Sequence, residues 1–399
     1  MVLGLLNIVY FVMYAILYPY LPILIRGLGY TPVAVGLLMG LFDGAGIAGP
    51  LIIGSLADKW GMYKRPLVIS VLLTVLPVMP LVLIRNPLVS AVFIIIIAIG
   101  LRSYQPLLDA ITTIYVGPGG NYGRIRVSGS IAYVLAMLFY QVTPFFYPDS
   151  AFNIGVWTII GGVICLGVTA AVFNDADFRD RGDPEQSAGK LSPAKAAAAK
   201  GAARSFGKRW SQVFVLGIIM IALSRFNYAP VNFLGLYVTE ALQWNAVGII
   251  FSLAAITEIP IMFLARRLIL RFGSLPLLAF GALCTGIRML LYAVFPGPGG
   301  VVAGQLLHFA SYGIFHNAAV AFVSVNVPPD KRALGMTVYL SLGTGLPTFI
   351  GNILAGFIIE EAGWKNLFIL YGASSVLPLM LFVFISRSAF KPSNLKSRL

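Results

Sequence analysis

Apolar residues run through this chain in long unbroken stretches, and polar residues gather in the short intervals between them. The runs fall near 2–25, 31–57, 66–84, 87–116, 125–147, 151–173, 211–239, 244–270, 275–296, 298–327, 333–359 and 364–386. Each is close to the roughly 20 residues that carry an α-helix across a bilayer. None alternates with the period of two that a barrel strand needs, so the runs predict helices. The longest polar interval, 174–210, opens acidic (Asp175, Asp177, Asp180, Asp183, Glu185) and ends rich in Ala and basic residues from Lys190 to Arg209. The pattern predicts an all-α polytopic membrane protein with twelve transmembrane helices in two pseudo-symmetric six-helix bundles. Residues 1–173 form the first bundle and 174–210 a cytoplasmic linker, with a short tail closing the second bundle, 211–399.

Composition changes the picture little. Of 399 residues, 59% are hydrophobic and 11% charged, and the mean hydropathy is +0.89. A water-soluble domain of this size has no interior able to hide that much apolar surface. Charge adds orientation. The formal net charge is +14, and of the 28 Lys and Arg, 22 fall on one side of the twelve-span scheme, in the intervals, at the adjoining ends of runs or in the C-terminal tail. By the positive-inside rule both termini are cytoplasmic. The basic surplus is thereby a mark of topology, and no nucleic-acid partner is expected. Cys165 and Cys284 lie in apolar runs of opposite halves and read as small core residues rather than a disulfide. The first run lacks a basic leader region and a small-residue cleavage site, so it reads as a retained helix.

The halves resemble one another faintly. Gly61 and Gly273 each follow a long run and precede a Pro, and Ser103-Tyr104 corresponds to Ser311-Tyr312, which sets Asp109 opposite Asn317. Such repeats build two-lobed carriers around a central cavity.

Charge inside an apolar run is costly and calls for a partner or a job. The intramembrane set is Asp43, Arg102, Asp109, Arg225, Glu258 and Arg288, with His308 and His316 as titratable neutrals. Structural ion pairs that fix helix register are one reading of them. A polar solute site with a proton site is the other. Arg102 and Asp109 share a face two turns apart, as do Arg126 and Tyr133 on the next helix. An acid facing an Arg with an aromatic ring above them suits a hydroxylated ring. No cluster has metal-ligand spacing, no phosphate loop is visible, and no cofactor is implied.

The stretch Gly54-Ser55-Leu56-Ala57-Asp58-Lys59-Trp60-Gly61, with Lys64-Arg65 after it, resembles the helix 2–3 loop of the major facilitator superfamily. The resemblance implies a gating loop at Gly54, Asp58, Gly61 and Arg65, although Met62 and Tyr63 displace the usual basic pair. Finer likeness points to the oligosaccharide–proton symporters, the group of lactose permease, and to the related phenylpropionate and nucleoside permeases. It rests on Gly123-Arg124-x-Arg126-x-x-Gly129, Asp109-Ala110, Gly286-Ile287-Arg288 and Leu307-His308. That likeness implies substrate contacts at Asp109, Arg126 and Tyr133 and proton coupling through Glu258, Arg288 and His308. The residues themselves add Arg102, His308 and Asn317 as expected substrate contacts and Asp43 as an expected proton group. Three positions depart from the pattern: Ser311 replaces the proton-carrying Glu, Gln305 a Lys, and Ala255 a Glu for which Glu258 stands three residues later. Glu258 is the first choice as proton carrier, since burial among apolar neighbours favours the protonated carboxyl. Asp43 is second and the histidines third.

The expected function is proton-coupled uptake of a small polar or aromatic organic solute, such as a sugar, glycoside or nucleoside, by alternating access. The partners are that solute, protons and the lipid bilayer. The expected place is a bacterial inner membrane, and the resemblance implies a monomer. A drug–proton antiporter of the same fold is the alternative; it would carry an acid on the first helix, and none is present. An enzyme is not expected.

Overall fold

The computed structural model describes residues 2–116, 122–143, 145, 148, 150–176, 207–328 and 331–389. Most of the expected linker, 177–206, and the tail from 390 lie outside the described residues. So do the side chains of Arg124 and 207–211. Among the described residues the chain is helical and holds no strand.

Local chemistry sets several of the helix ends. Thr31 accepts a hydrogen bond from the Ala34 N–H at 3.4 Å, with Pro32 in the first helical position. Gly61 closes the same helix in the left-handed conformation, φ 60°. Ser150 opens another by accepting from Asn153 N–H at 3.1 Å. The first bundle holds α1 (Val2–Gly27), α2 (Pro32–Trp60), α3 (Lys64–Leu83), α4 (Pro87–Val116), α5 (Tyr122–Val142) and α6 (Ala151–Val172). The second holds α7 (Gln212–Ala241), α8 (Val247–Phe272), α9 (Ser274–Val294) and α10 (Pro298–Asn326). A final apolar run, Leu334–Arg387, breaks at Gly363 (φ 79°, ψ 173°) into α11 (332–362) and α12 (364–389). Gly273 also has positive φ, 81°, but with ψ 162° where Gly61 has 30°, so the two repeat-related loops turn differently. One departure from the sequence-based bounds is α5, which ends at Val142 rather than 147.

The bundles meet mainly at the end opposite the termini. There α2 crosses α11 so closely that a Cβ on Gly36 would lie 2.5 Å from the Asn352 carbonyl oxygen and 3.0 Å from Gly356 Cα. At the same end α5 meets α8: Gln141 donates to the Asn245 carbonyl (2.8 Å) and accepts from Gly248 N–H (2.9 Å). Arg26 pairs with Glu240 at 2.8 Å, and Val33 N–H donates to Glu360 at 2.9 Å. Among the described residues, no hydrogen bond or ion pair joins the bundles over 48–60 of α2 or 338–344 of α11, nearer the termini. These polar contacts between the bundles are thus gathered at the far end.

A side chain at Gly36 overpacks this crossing, at a typical cost of ~1–3 kcal/mol. Gly36→Leu is therefore expected to loosen the far end and raise maleimide labelling of a cysteine placed at Gln141. Unchanged labelling would count against the crossing as the closing contact.

Candidate solute and proton site

Within the first bundle, α4 and α5 bring Asp109 and Arg126 to 3.9 Å, a loose pair with a quarter to a third of each side chain exposed. Asp109 also accepts from Gln105 and from the Tyr122 hydroxyl, both at 2.7 Å. The ring that covers Arg126 is Phe11 of α1, 4.6 Å from the guanidinium carbon. The expected Tyr133 stands behind it, edge-on to Phe11 at 6.5 Å. Two turns along α5 separate Arg126 from Tyr133, whereas α1 lies directly against α5, and this is why the covering ring comes from α1. Arg126 Nη1 and Gln105 Oε1 are buried with no hydrogen-bond partner among the described residues. A donor and an acceptor left together complement a hydroxyl.

Arg102 belongs elsewhere. Its guanidinium donates to Asp43 of α2 at 2.6 Å and lies over the rings of Tyr18 and Phe42. The second Asp43 oxygen accepts from Asn232 of α7 (3.0 Å) and Asn352 of α11 (2.9 Å). The Tyr18 hydroxyl donates to Asn232 at 3.3 Å. Asp43, expected as a proton group, and Arg102, expected at the substrate, thus form one ion pair that ties the bundles together. The two asparagines were missed in the sequence. Polar amides in apolar runs, weighed beside the intramembrane acids, are the signal that finds them.

In the second bundle Arg288 of α9 is fully buried. It donates to the Tyr292 hydroxyl (2.7 Å), Ser311 Oγ (3.3 Å), Gln305 Oε1 and His308 Nδ1 (3.2 Å). Ser311 and Gln305 are two of the positions that depart from the symporter pattern, and both serve here as neutral acceptors for Arg288. A guanidinium only donates, so His308 Nδ1 accepts, and a neutral His308 carries its proton on Nε2. That nitrogen lies 3.7 Å from Glu258 of α8. His308 therefore stands between Arg288 and Glu258 and relays their contact. His308, Tyr312 and His316, one turn apart along α10, stack in sequence at 5.3 and 6.0 Å within 10° of parallel. A wider helical turn over Phe309–Ile314 accompanies this stack. Asn317, expected at the substrate, donates to the Gly313 carbonyl of its own helix at 2.8 Å. Glu258 also lies within electrostatic range of Arg126 of the first bundle.

The loop after α2 is exposed at Asp58, Gly61 and Arg65, and a Cβ on Gly54 meets nothing within 4 Å. Asp175, at the first acidic position of the interval after α6, caps α3 by accepting from Tyr63 N–H (2.6 Å) and Lys64 N–H (3.2 Å). Burial first, then the carboxylates of Asp58 and Asp175, raise the Tyr63 phenol above its ordinary range. Asp175→Ala should cost about 1 kcal/mol, the usual worth of a cap, as a lowered thermal midpoint. No change would show the cap to be idle. A groove of about 500 Å³ between α1, α5 and α6 is lined by apolar residues exposed on the bundle's flank, such as Ile131, Leu135 and Ile164. It offers little to orient a polar solute and stands apart from the chemistry.

Comparison with known proteins agrees with this geometry. A family model described as "MFS_1 like family" matches residues 3–370. A probable 3-phenylpropionic acid transporter of Escherichia coli K12 is 23% identical over 366 residues, 89% of each chain. A maltose permease of Geobacillus stearothermophilus is 24% identical over 71% of this chain and 68% of its own. The crystal structure of a mutant of the nucleoside transporter NupG superposes with a TM-score of 0.78, at 18% identity, covering 98% of this chain and all of that one.

Proposed function

The chain belongs to the MFS_1 like family of the major facilitator superfamily and is a multi-pass membrane transporter, and from that premise we propose proton-coupled symport of a small polar or aromatic organic solute into the cell. The observation that carries this reading is the presence of two kinds of polar site, one in each bundle. The loose Asp109–Arg126 pair, with its idle donor and acceptor, suits a hydroxylated or carbonyl-bearing solute. Opposite it, the Arg288–His308–Glu258 chain offers a carboxylate and an imidazole for a proton. The names of two relatives, for an aryl acid and for a disaccharide, bracket the solute class.

Under this reading, residues 1–173 and 211–399 are the rocking units, 174–210 links them, and the monomer is the working form. The basic intervals support cytoplasmic termini in a bacterial cell membrane, and the polar contacts gathered at the opposite end fit a form open inward. The exposed loop at Gly54, Asp58, Gly61 and Arg65 then closes on the second bundle in the outward-facing form.

Proteoliposomes given an inward proton gradient and a panel of sugars, nucleosides and aryl acids test the proposal. At least one solute should accumulate, and accumulation should vanish when a protonophore collapses the gradient. Extrusion along the opposite gradient would instead identify an exporter.

A further inference from the structure

Arg225 of α7 presents a different problem from the other buried guanidiniums. It is 4% exposed. Its charge is boxed by three rings: Phe315 at 4.9 Å, Tyr312 at 5.1 Å and Tyr228 at 5.5 Å from the guanidinium carbon. Among the described residues it makes no ion pair, and its Nε has no hydrogen-bond partner. Rings on its faces leave the N–H edge as what it can offer a ligand.

Charge counting sharpens the point. Asp43 answers Arg102, and Asp109 answers Arg126. In the second bundle Glu258 is joined through His308 to Arg288, whose guanidinium is held by neutral acceptors on all sides. Arg225 is left over. A buried guanidinium without a counter-ion is strongly disfavoured in a low-dielectric interior. The Tyr312 ring under Arg225 also stacks on His308 at 5.3 Å, and His308 lies 3.7 Å from Glu258, so Arg225 adjoins the polar group already described.

We infer that Arg225 is the seat of a carboxylate on the transported solute, so that the solute is an organic monoanion whose apolar or aromatic body packs among Tyr228, Tyr312 and Phe315. This rests on the transport reading of the same cavity and narrows it: the group at Asp109 and Arg126 binds the polar far end, and Arg225 binds the charge. Two N–H groups of a guanidinium edge match the two oxygens of a carboxylate, which a hydroxyl cannot imitate.

The test uses the full chain in lipid nanodiscs and a thermal-shift panel of benzoate, phenylacetate, hexanoate and hydroxylated aryl acids, each beside its primary amide. At least one acid should raise the midpoint where its amide does not. In Arg225→Gln that acid should bind roughly tenfold or more weakly, and Arg225→Lys should recover part of the loss. Matching elution of the variants on size exclusion checks folding. An acid that shifts Arg225→Gln as much as wild type, or a panel in which no acid exceeds its amide, overturns the inference. A neutral sugar or nucleoside accumulated equally by vesicles of wild type and Arg225→Gln removes the seat and leaves the transport reading intact. An acid whose binding depends on Arg225 but which vesicles never accumulate keeps the seat and counts against transport of that acid.

Discussion

Glu258→Gln is expected to leave solute exchange running while concentrative uptake collapses. For one proton per solute, a gradient of two pH units sustains a concentration ratio of about 100, since each unit is worth ~1.36 kcal/mol. The variant should sustain a ratio of about one. The reason lies in a fixed tautomer. Arg288 occupies His308 Nδ1, so the imidazole turns Nε2 toward Glu258. A proton gained or lost at Glu258 then changes what His308 meets and, through it, the Arg288 cage. Glutamine keeps the shape and cannot take up or release a proton. Counterflow without accumulation is the expected pair of measurements. Accumulation at the wild-type ratio would remove Glu258 from the proton path and make Asp43 the next group to replace.

The second large effect is expected at Asp43. Its side chain is 7% exposed and answers Arg102, Asn232 and Asn352 at once. Removing one partner of a buried pair typically costs ~3–5 kcal/mol, because the other charge is stranded. Arg102 is one-third exposed, so Asp43→Ala should fall at the low end, about 3 kcal/mol. The loss should show as a lower thermal midpoint and as freer labelling at the far end, since two bonds to the second bundle go with it. Asp43→Asn combined with Arg102→Gln removes both charges and should recover most of the midpoint. Additive losses in that double-mutant cycle would show that the pair does not act as a unit.

Much of the fold is legible in the chain because a bilayer leaves few solutions. Continuous apolar runs of membrane length mean helices, and Gly61 and Gly363 mark ends that only a residue tolerant of positive φ makes easily. The site was legible one residue at a time, not as a set. Asp109 with Arg126 could be proposed because the two stand on consecutive helices near a short loop. The Asp43–Arg102 pair and its asparagines join four helices, and no local spacing reports which helices touch. Phe11 was missed for the same reason: an aromatic in an apolar run looks like core until the neighbouring helix is known. Gln305 and Ser311 looked like losses in the pattern, yet they hold Arg288.

The polar groups between the two bundles comprise four guanidiniums, Arg102, Arg126, Arg225 and Arg288, against the three carboxylates Asp43, Asp109 and Glu258 among the described residues. Under the proposed alternating access, that imbalance makes the empty carrier respond to voltage. A positive cavity open to the cytoplasm sits at the cytoplasmic potential, and when open outward it sits at the outside potential. With a negative interior, each surplus charge favours the inward-open form by up to ~2.3 kcal/mol per 100 mV. An energised membrane therefore holds the unloaded protein with its cavity toward the cell. The monoanion inferred at Arg225 would cancel the surplus and free the loaded form from that bias.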